Sequence, residues 1–152
     1  MTNKMSGPPD LSLDAIGTWD LESYTSYAKD GTSRQDFGES PIGRAIFDRA
    51  GNFSITVVRS DLPHFASGNR SVGTAEQYKA VVQGSLAYFG TFSIHAEEQG
   101  VTFHILGATL PNWIETTQER GISMSSRDRL SLSNVHGSGG GSALIVWRRK
   151  AS

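Results

Sequence analysis

Short stretches in which hydrophobic and polar residues alternate dominate the chain from Ile16 onward. A period of two is typical of strands that bury one face. The pattern predicts about eight strands, at residues 17–25, 42–48, 53–59, 91–96, 101–109, 113–124, 129–134 and 143–149. Turn signals join several neighbours, as at Ala50-Gly51-Asn52, Gln99-Gly100 and Ser126–Arg129. Sequential short strands favour a mostly β fold, a single antiparallel up-and-down β-barrel, because closure removes exposed sheet edges.

One segment after the third predicted strand has helical spacing instead. Thr74 and Gln77 have the spacing of a capping box. Apolar residues then follow on one helical face: Tyr78, Val81, Val82, Leu86 and Phe89. Gly84 is a mild cost within this helix, and Gly90 marks its expected end. We expect the apolar face to pack on the barrel wall or over its open end, so that Val82→Asp would be strongly destabilising.

Length and composition predict one globular domain. The chain has 152 residues, of which 37% are hydrophobic, and it carries 7 Phe, 3 Trp and 4 Tyr. Residues 1–12 are polar and contain Gly7, Pro8 and Pro9, so we expect a disordered lead before a domain at 13–152. Residues 136–141 are rich in glycine, which predicts a flexible loop between the last two strands.

Charge and residue usage exclude several classes of protein. A formal net charge of −1 argues against a nucleic-acid-binding protein that depends on basic surfaces. The absence of cysteine excludes disulfides, thiolate metal sites and a thiol nucleophile, and no histidine spacing typical of metal sites is present. No apolar run is long enough to span a membrane, and the N-terminus has no secretory pattern. We expect a soluble cytoplasmic monomer or homodimer with no metal, cofactor, nucleic-acid or membrane partner.

The two ends of the predicted barrel carry complementary residues. Gly17-Thr18-Trp19 opens the first strand, and Trp147-Arg148-Arg149 closes the last. These strands are neighbours in a closed barrel, so we expect Arg148 or Arg149 to lie across the indole of Trp19. Such a cation–π contact contributes about 1–2 kcal/mol when desolvated. The combination resembles the calycin superfamily, in which a Gly-x-Trp motif and a late arginine close the barrel.

A longer set of segments extends the resemblance: Ile16–Leu21, Pro41–Gly43, Ala87–Thr91, Gly107 with Pro111–Trp113, Gln118-x-Arg120 and Leu144–Arg149. On these segments the chain from Ile16 to Lys150 resembles the bacterial and fungal lipocalin-like domain family. The resemblance implies a small barrel with a ligand cavity, and related calycin barrels include carriers as well as cyclases and isomerases of natural-product pathways. His104 falls where the family tends to carry histidine, whereas Phe103 departs from a pattern that often has a second one.

The strand around Arg120 predicts a cavity with a polar floor. One face of this strand is apolar at both ends and carries Ile114, Thr116, Gln118, Arg120, Ile122 and Met124. We expect that face to point inward, where a guanidinium needs a partner or a polar ligand group to offset its desolvation. Arg120 and Gln118 would then hold or polarise a carbonyl, with Thr116 beside them. The alternatives are a bulge that turns Arg120 outward and an internal ion pair.

Further candidates surround this cavity. His104 is a candidate catalytic acid–base group together with Arg120, although period two places it opposite Phe103 and therefore outward unless a twist, a bulge or the inserted helix changes its exposure. His64 could guard the barrel mouth. Arg59 would bind ligand or reach solvent from its strand end. Trp113 would line the mouth or pack beneath the helix.

Three functions stay open at this level. The first is binding of a small, largely apolar molecule, polyketide- or terpene-like, followed by a non-redox step such as cyclisation, isomerisation or dehydration. The second is a carrier that uses the same cavity without turnover. The third is an interaction protein with a solidly packed barrel. We favour a cofactor-free isomerase, cyclase or lyase whose partner is a small hydrophobic ligand.

Overall fold

The computed structural model describes residues 7–134 and 141–151, and most of them belong to one antiparallel sheet. The strands are β1 (Gly17–Tyr27), β2 (Ser33–Arg34), β3 (Ile42–Phe47), β4 (Asn52–Val58), β5 (Ser85–His95), β6 (Gly100–Ala108), β7 (Thr116–Ser126), β8 (Arg129–Asn134) and β9 (Ser142–Arg149). The helices are α1 (Leu11–Asp14) and α2 (Ala75–Gln83), with 3-10 turns at Ala96–Glu98 and Pro111–Trp113. Positions 1–6 of the expected lead and 136–140 of the expected loop lie outside the described residues.

The predicted eight-stranded up-and-down barrel is confirmed. From β3 to β9 each strand pairs with the next one in the chain, and β1 pairs with both β3 and β9. The β1–β9 pairing extends from Trp19 opposite Arg149 to Tyr27 opposite Ser142 and closes the sheet. The two-residue strand β2 adds to the end of β1 and was not predicted. The sheet is therefore a closed barrel with one short extra strand at its rim.

Side chains that alternate along the strands fill the barrel interior. In β6, Val101, Phe103 and Ile105 are at most 2% exposed, and the residues between them face outward. Phe103 packs against Phe53 with ring centroids 4.6 Å apart. Because these strands follow the predicted period of two, the hydrophobic pattern of the sequence identifies their inner face correctly.

The closed end of the barrel is built around Trp19 and Arg149. Trp19 is fully buried, and the guanidinium carbon of Arg149 lies 4.3 Å from the centre of its indole ring. Arg149 also donates to the backbone carbonyls of Arg127, Ile16 and Asp14. Every nitrogen of this guanidinium therefore has a protein acceptor.

The first position of the Gly-x-Trp motif, Gly17, requires glycine for two reasons. Gly17 has a φ of 141°, and a Cβ there would lie 2.8 Å from a guanidinium nitrogen of Arg149. Arg148, the other candidate for closure, is exposed and pairs with Glu22 at 3.2 Å on the outer surface. Arg149 rather than Arg148 is the closing arginine because alternate residues of β9 face opposite sides.

Helix α1 covers this closed end. It begins at Leu11, inside the segment for which the sequence predicted disorder, and Asp10 caps it by accepting from the backbone of Ser12. The indole nitrogen of Trp19 donates to the carbonyl of Ala15 at 2.9 Å. The residues just before β1 therefore take part in closing the barrel.

The expectations for α2 are corrected in length and in packing. The capping box of Thr74 and Gln77 is present, but the helix ends at Gln83, with Gly84 as its C-cap. None of its residues is buried, and Val82 is 75% exposed. The prediction that an apolar face of α2 is buried over the barrel is therefore wrong.

No helix in the described ranges is long and apolar enough to cross a membrane.

Two residues assigned to that helical face belong to β5 instead. Leu86 pairs with Val57 of β4, and Phe89 lies on the outer face, where it is 53% exposed. Strand pairing overrides the helical spacing here because the alternating buried residues of β4 need a neighbouring strand.

Candidate functional site

A cavity of about 1220 Å³ occupies the half of the barrel away from the Trp19–Arg149 contact. Its wall takes residues from the end of β1 and the start of β9, whereas Trp19 and Arg149 lie at the other ends of those strands. Exposed residues such as Tyr27 and Arg34 belong to the wall, so the cavity opens to solvent at this end. A volume of this size holds a drug-sized molecule.

Strand β7 supplies the polar floor of the cavity. Arg120 lies opposite Val101 and Gln118 opposite Phe103, and both of these β6 partners point into the barrel. Arg120 and Gln118 both line the cavity. The inward orientation predicted for Arg120 is therefore what the structure shows.

Thr116 and Ile114, which precede Gln118 in the sequence, do not line the cavity. The Thr116 hydroxyl donates to the carbonyl of Trp113 at 2.6 Å and accepts from the Gln118 amide at 3.4 Å. Thr116 therefore supports Gln118 from beside the cavity. Ile114 departs from the prediction, because it is 42% exposed and precedes the first residue of β7.

Arg120 differs from the other partly buried arginines of the described chain. Three of these pair with an aspartate: Arg59 with Asp61 at 2.8 Å, Arg127 with Asp14 at 3.4 Å and Arg149 with Asp128 at 3.5 Å. Arg120 has no carboxylate within 4 Å among the described residues.

The contacts of Arg120 are to neutral oxygens. It donates to the side-chain carbonyl of Gln118 and to the backbone carbonyl of Glu119. Burial lowers the pKa of Arg120 from its usual value, and Tyr88 and Tyr24 act in the opposite direction. Because a guanidinium keeps its proton in proteins, the cavity holds a positive charge that no carboxylate of the described residues pairs with.

Two tyrosines that the sequence analysis missed lie beside Arg120. Burial raises the pKa of the Tyr24 phenol, Asp36 raises it further and Arg120 opposes the shift. Burial also raises the pKa of Tyr88 above its usual range, with a smaller contribution from Tyr24 and an opposing one from Arg120. Both hydroxyl groups therefore keep their protons near neutral pH and can donate hydrogen bonds into the cavity.

The aromatic rings around these groups form part of the cavity wall. Tyr88 meets Trp113 edge to face, with centroids 5.2 Å apart. Tyr24 meets Phe37 in the same manner at 4.8 Å. Trp113 therefore lines the cavity and packs on Tyr88, from a 3-10 turn rather than from the strand predicted there.

A second polar group stands at the mouth. Asp36 accepts a hydrogen bond from Ser26 and forms an ion pair with Arg34, with 2.6 Å between Nε and the carboxylate. All three residues line the cavity. No periodic signal marks Asp36, because it lies in the irregular segment between β2 and β3.

The structure places His104 on the outer face, as the period of two indicated. Its strand partner is Thr117, and its ring nitrogens lie 3.4 Å from the Thr117 hydroxyl and 4.0 Å from Glu115. His104 is on the outer face of β6 because Phe103 and Ile105 occupy the inner face. It does not line the cavity, so it cannot move a proton on a molecule bound there.

Arg59 and His64 also lie away from the cavity wall. Arg59 sits just beyond β4, where Asp61 holds its guanidinium at the surface. His64 is an exposed loop residue whose backbone carbonyl accepts from Gln77. Neither residue therefore lines this cavity, where a ligand-binding role was expected for both. In the described ranges, no three His, Asp or Glu side chains come together as a possible metal site.

The fold and the site define a closed antiparallel barrel with an internal cavity. The family model of the lipocalin-like domain matches residues 16–150, which is most of the chain. The protein therefore belongs to the lipocalin-like domain family, a barrel class associated with small-molecule binding.

Other comparisons concern the architecture. The chain is similar to a de novo designed fluorescence-activating β-barrel, with 14% identity over 93% of this chain and 99% of the other and a TM-score of 0.46. It is also similar to a redesigned β-barrel, with 11% identity over 96% of this chain and 100% of the other and a TM-score of 0.49. No curated protein matches the sequence.

Proposed function

We propose that the protein binds a small, largely apolar molecule, polyketide- or terpene-like, in the cavity of its barrel. The observation that carries the proposal is the environment of Arg120, a partly buried cation in a cavity of about 1220 Å³ without a carboxylate partner among the described residues. A desolvated guanidinium is costly unless it is paired. A carbonyl, enolate-like or carboxylate oxygen on the ligand would meet that need, and the aromatic walls would bury its apolar body.

Native mass spectrometry of the purified protein is the first test. A mass increment that disappears after solvent extraction would reveal a bound molecule, and the extract would identify it. Titration of that molecule against wild type and Arg120→Met then locates the site. Wild-type binding that Arg120→Met weakens supports the cavity. Unchanged affinity in a folded Arg120→Met protein would place the ligand elsewhere.

We further propose a non-redox step on the bound molecule, such as isomerisation, cyclisation or dehydration. The observation that favours turnover is the position of Tyr24. The Asp36 carboxylate and the Arg120 guanidinium both act electrostatically on its hydroxyl. A protonated phenol can donate a proton, and an adjacent cation favours negative charge on a reacting oxygen. This assignment replaces His104, which faces the outer surface.

The alternative is a carrier that releases its ligand unchanged. Incubation of the identified molecule with the protein, followed by liquid chromatography and mass spectrometry, separates the two functions. An enzyme would give a product of equal mass, or one lighter by one water, and Tyr24→Phe would slow its formation while binding persists. Recovery of the starting molecule alone would favour the carrier.

A further inference from the structure

The polar floor of the cavity offers hydrogen-bond donors and little acceptor capacity. The side-chain carbonyl of Gln118 is occupied by Arg120, and its amide nitrogen points to Thr116. The Thr116 hydroxyl is itself used by the carbonyl of Trp113. Arg120 retains donors beyond its two protein contacts, because a guanidinium carries five N–H groups.

The two tyrosines increase this donor excess. Tyr24 and Tyr88 are protonated and line the cavity with Arg120. A negatively charged oxygen accepts hydrogen bonds from these donors more strongly than a neutral carbonyl oxygen does, because hydrogen bonds with an ionised partner are the stronger ones. An ammonium group at this position would be repelled by the like charge of Arg120.

The charged side chains that face into the cavity leave one cation without a charged partner. Asp36 and Arg34 neutralise one another at the mouth. Glu119 is part of the wall, but its carboxylate accepts from Thr102 on the outer face, at 2.8 and 2.9 Å. Among the described lining residues, Arg120 is then the charged side chain that faces the cavity without a charged partner. A ligand with one negative charge complements such a site. A second anionic group would come close to the Asp36 carboxylate and be repelled by it.

We propose, building on the small-molecule function above, that the ligand is a planar monoanion, a carboxylate, phenolate or enolate on a flat ring system. Its charged oxygen lies between Arg120, Tyr24 and Tyr88, and its ring packs against Trp113. Edge-to-face aromatic walls favour flat partners because rings present their edges and faces at fixed angles.

Two fluorescent probes that share their rings and differ in charge test this assignment. 8-Anilino-1-naphthalenesulfonate carries one negative charge, and N-phenyl-1-naphthylamine has the same aromatic skeleton without the sulfonate. Wild type should bind the sulfonate at least about tenfold more tightly, the ratio expected of one charge-assisted hydrogen bond. In Arg120→Met this preference should fall towards one while the uncharged probe still binds.

Matched variants keep the result interpretable. Arg44→Met removes an equal charge from the outer surface, where Arg44 pairs with Asp20, and should leave the probe ratio unchanged. Arg120→Gln removes the charge while keeping a polar side chain, which preserves the test if Arg120→Met does not fold. A probe ratio near one in wild type, or an undiminished ratio in the folded Arg120 variants, would overturn the monoanion and leave the proposed function standing. Binding of neither probe would overturn both.

Discussion

The two halves of the barrel each hold a partly buried arginine, and the two side chains have opposite environments. At the closed end, Arg149 covers Trp19 and donates to three backbone carbonyls. In the cavity half, Arg120 contacts Gln118 and the carbonyl of its own neighbour, with open space in front of it. The same residue type is therefore structural where its donors are satisfied and available for binding where they are not.

The largest effect is expected when the indole at the closed end is removed. Trp19→Ala should lower the free energy of unfolding by about 3–5 kcal/mol, because it deletes a fully buried aromatic side chain. Chemical denaturation monitored by circular dichroism measures the loss. A loss below about 1 kcal/mol would mean that the closed end does not hold the barrel together.

Substitution of each arginine by methionine separates a structural role from a binding role. Arg149→Met should cost about 2–3 kcal/mol of stability, since it removes the cation–π contact and leaves backbone carbonyls without their donor. Arg120→Met should change stability by at most about 1 kcal/mol, in either direction, because it also removes a costly buried charge. Ligand affinity should respond in the opposite order, falling about ten- to a hundredfold in Arg120→Met.

Denaturation curves and titrations of both variants check this pair of expectations. Equal losses of stability in the two variants would remove the distinction between a structural and a binding arginine. A fall in ligand affinity confined to Arg149→Met would reverse it.

Alkaline pH should affect the cavity half through its tyrosines. Burial raises the folded-state pKa of Tyr24 and Tyr88 above the ordinary value of 10.0. Above pH 10 the unfolded chain releases phenolic protons that the folded chain retains, so stability declines as the pH rises from that value. Below it, the contribution of these groups is fully present.

Unfolding free energies measured between pH 8 and 11 test the decline, with the Tyr24→Phe/Tyr88→Phe double variant as control. The double variant should show a smaller slope above pH 10, because phenylalanine has no proton to release. Identical slopes would place both phenols in water.

The smallest effect is expected on helix α2, outside both halves of the comparison. Val82→Asp should alter stability by no more than about 0.5 kcal/mol, because Val82 is 75% exposed. The helical periodicity alone predicted strong destabilisation. A loss above about 2 kcal/mol would show that the helix covers the barrel after all.

The difference between the two halves also explains what the sequence could predict. Period-two alternation in β6 and β7 correctly placed Phe103 inside and Arg120 beside it, since these strands keep their register across that region. The closing contact was predictable as well, because Trp19 and Arg149 mark the ends of strands that any closed barrel brings together.

The two tyrosines of the cavity could not be predicted from the periodicity, because the chain is irregular near both of them. In β1 the register shifts between Leu21 and Ser23, so that Tyr24 faces inward, whereas strict alternation from Trp19 would place Ser23 there. Tyr88 was placed on an overlong helix, although Gly84 followed by alternating residues could have indicated the start of a strand. Bulges depend on pairing between distant strands, which a single sequence does not display.

The most direct test of the account is a crystal structure of the protein bound to 8-anilino-1-naphthalenesulfonate or to the molecule extracted from it. We expect the ligand inside the barrel, with an acidic oxygen at about 2.7–3.0 Å from the guanidinium of Arg120 and its rings against Trp113. A ligand seated on the outer surface, or inside with only apolar atoms facing Arg120, would contradict the assignment of Arg120 as the binding arginine.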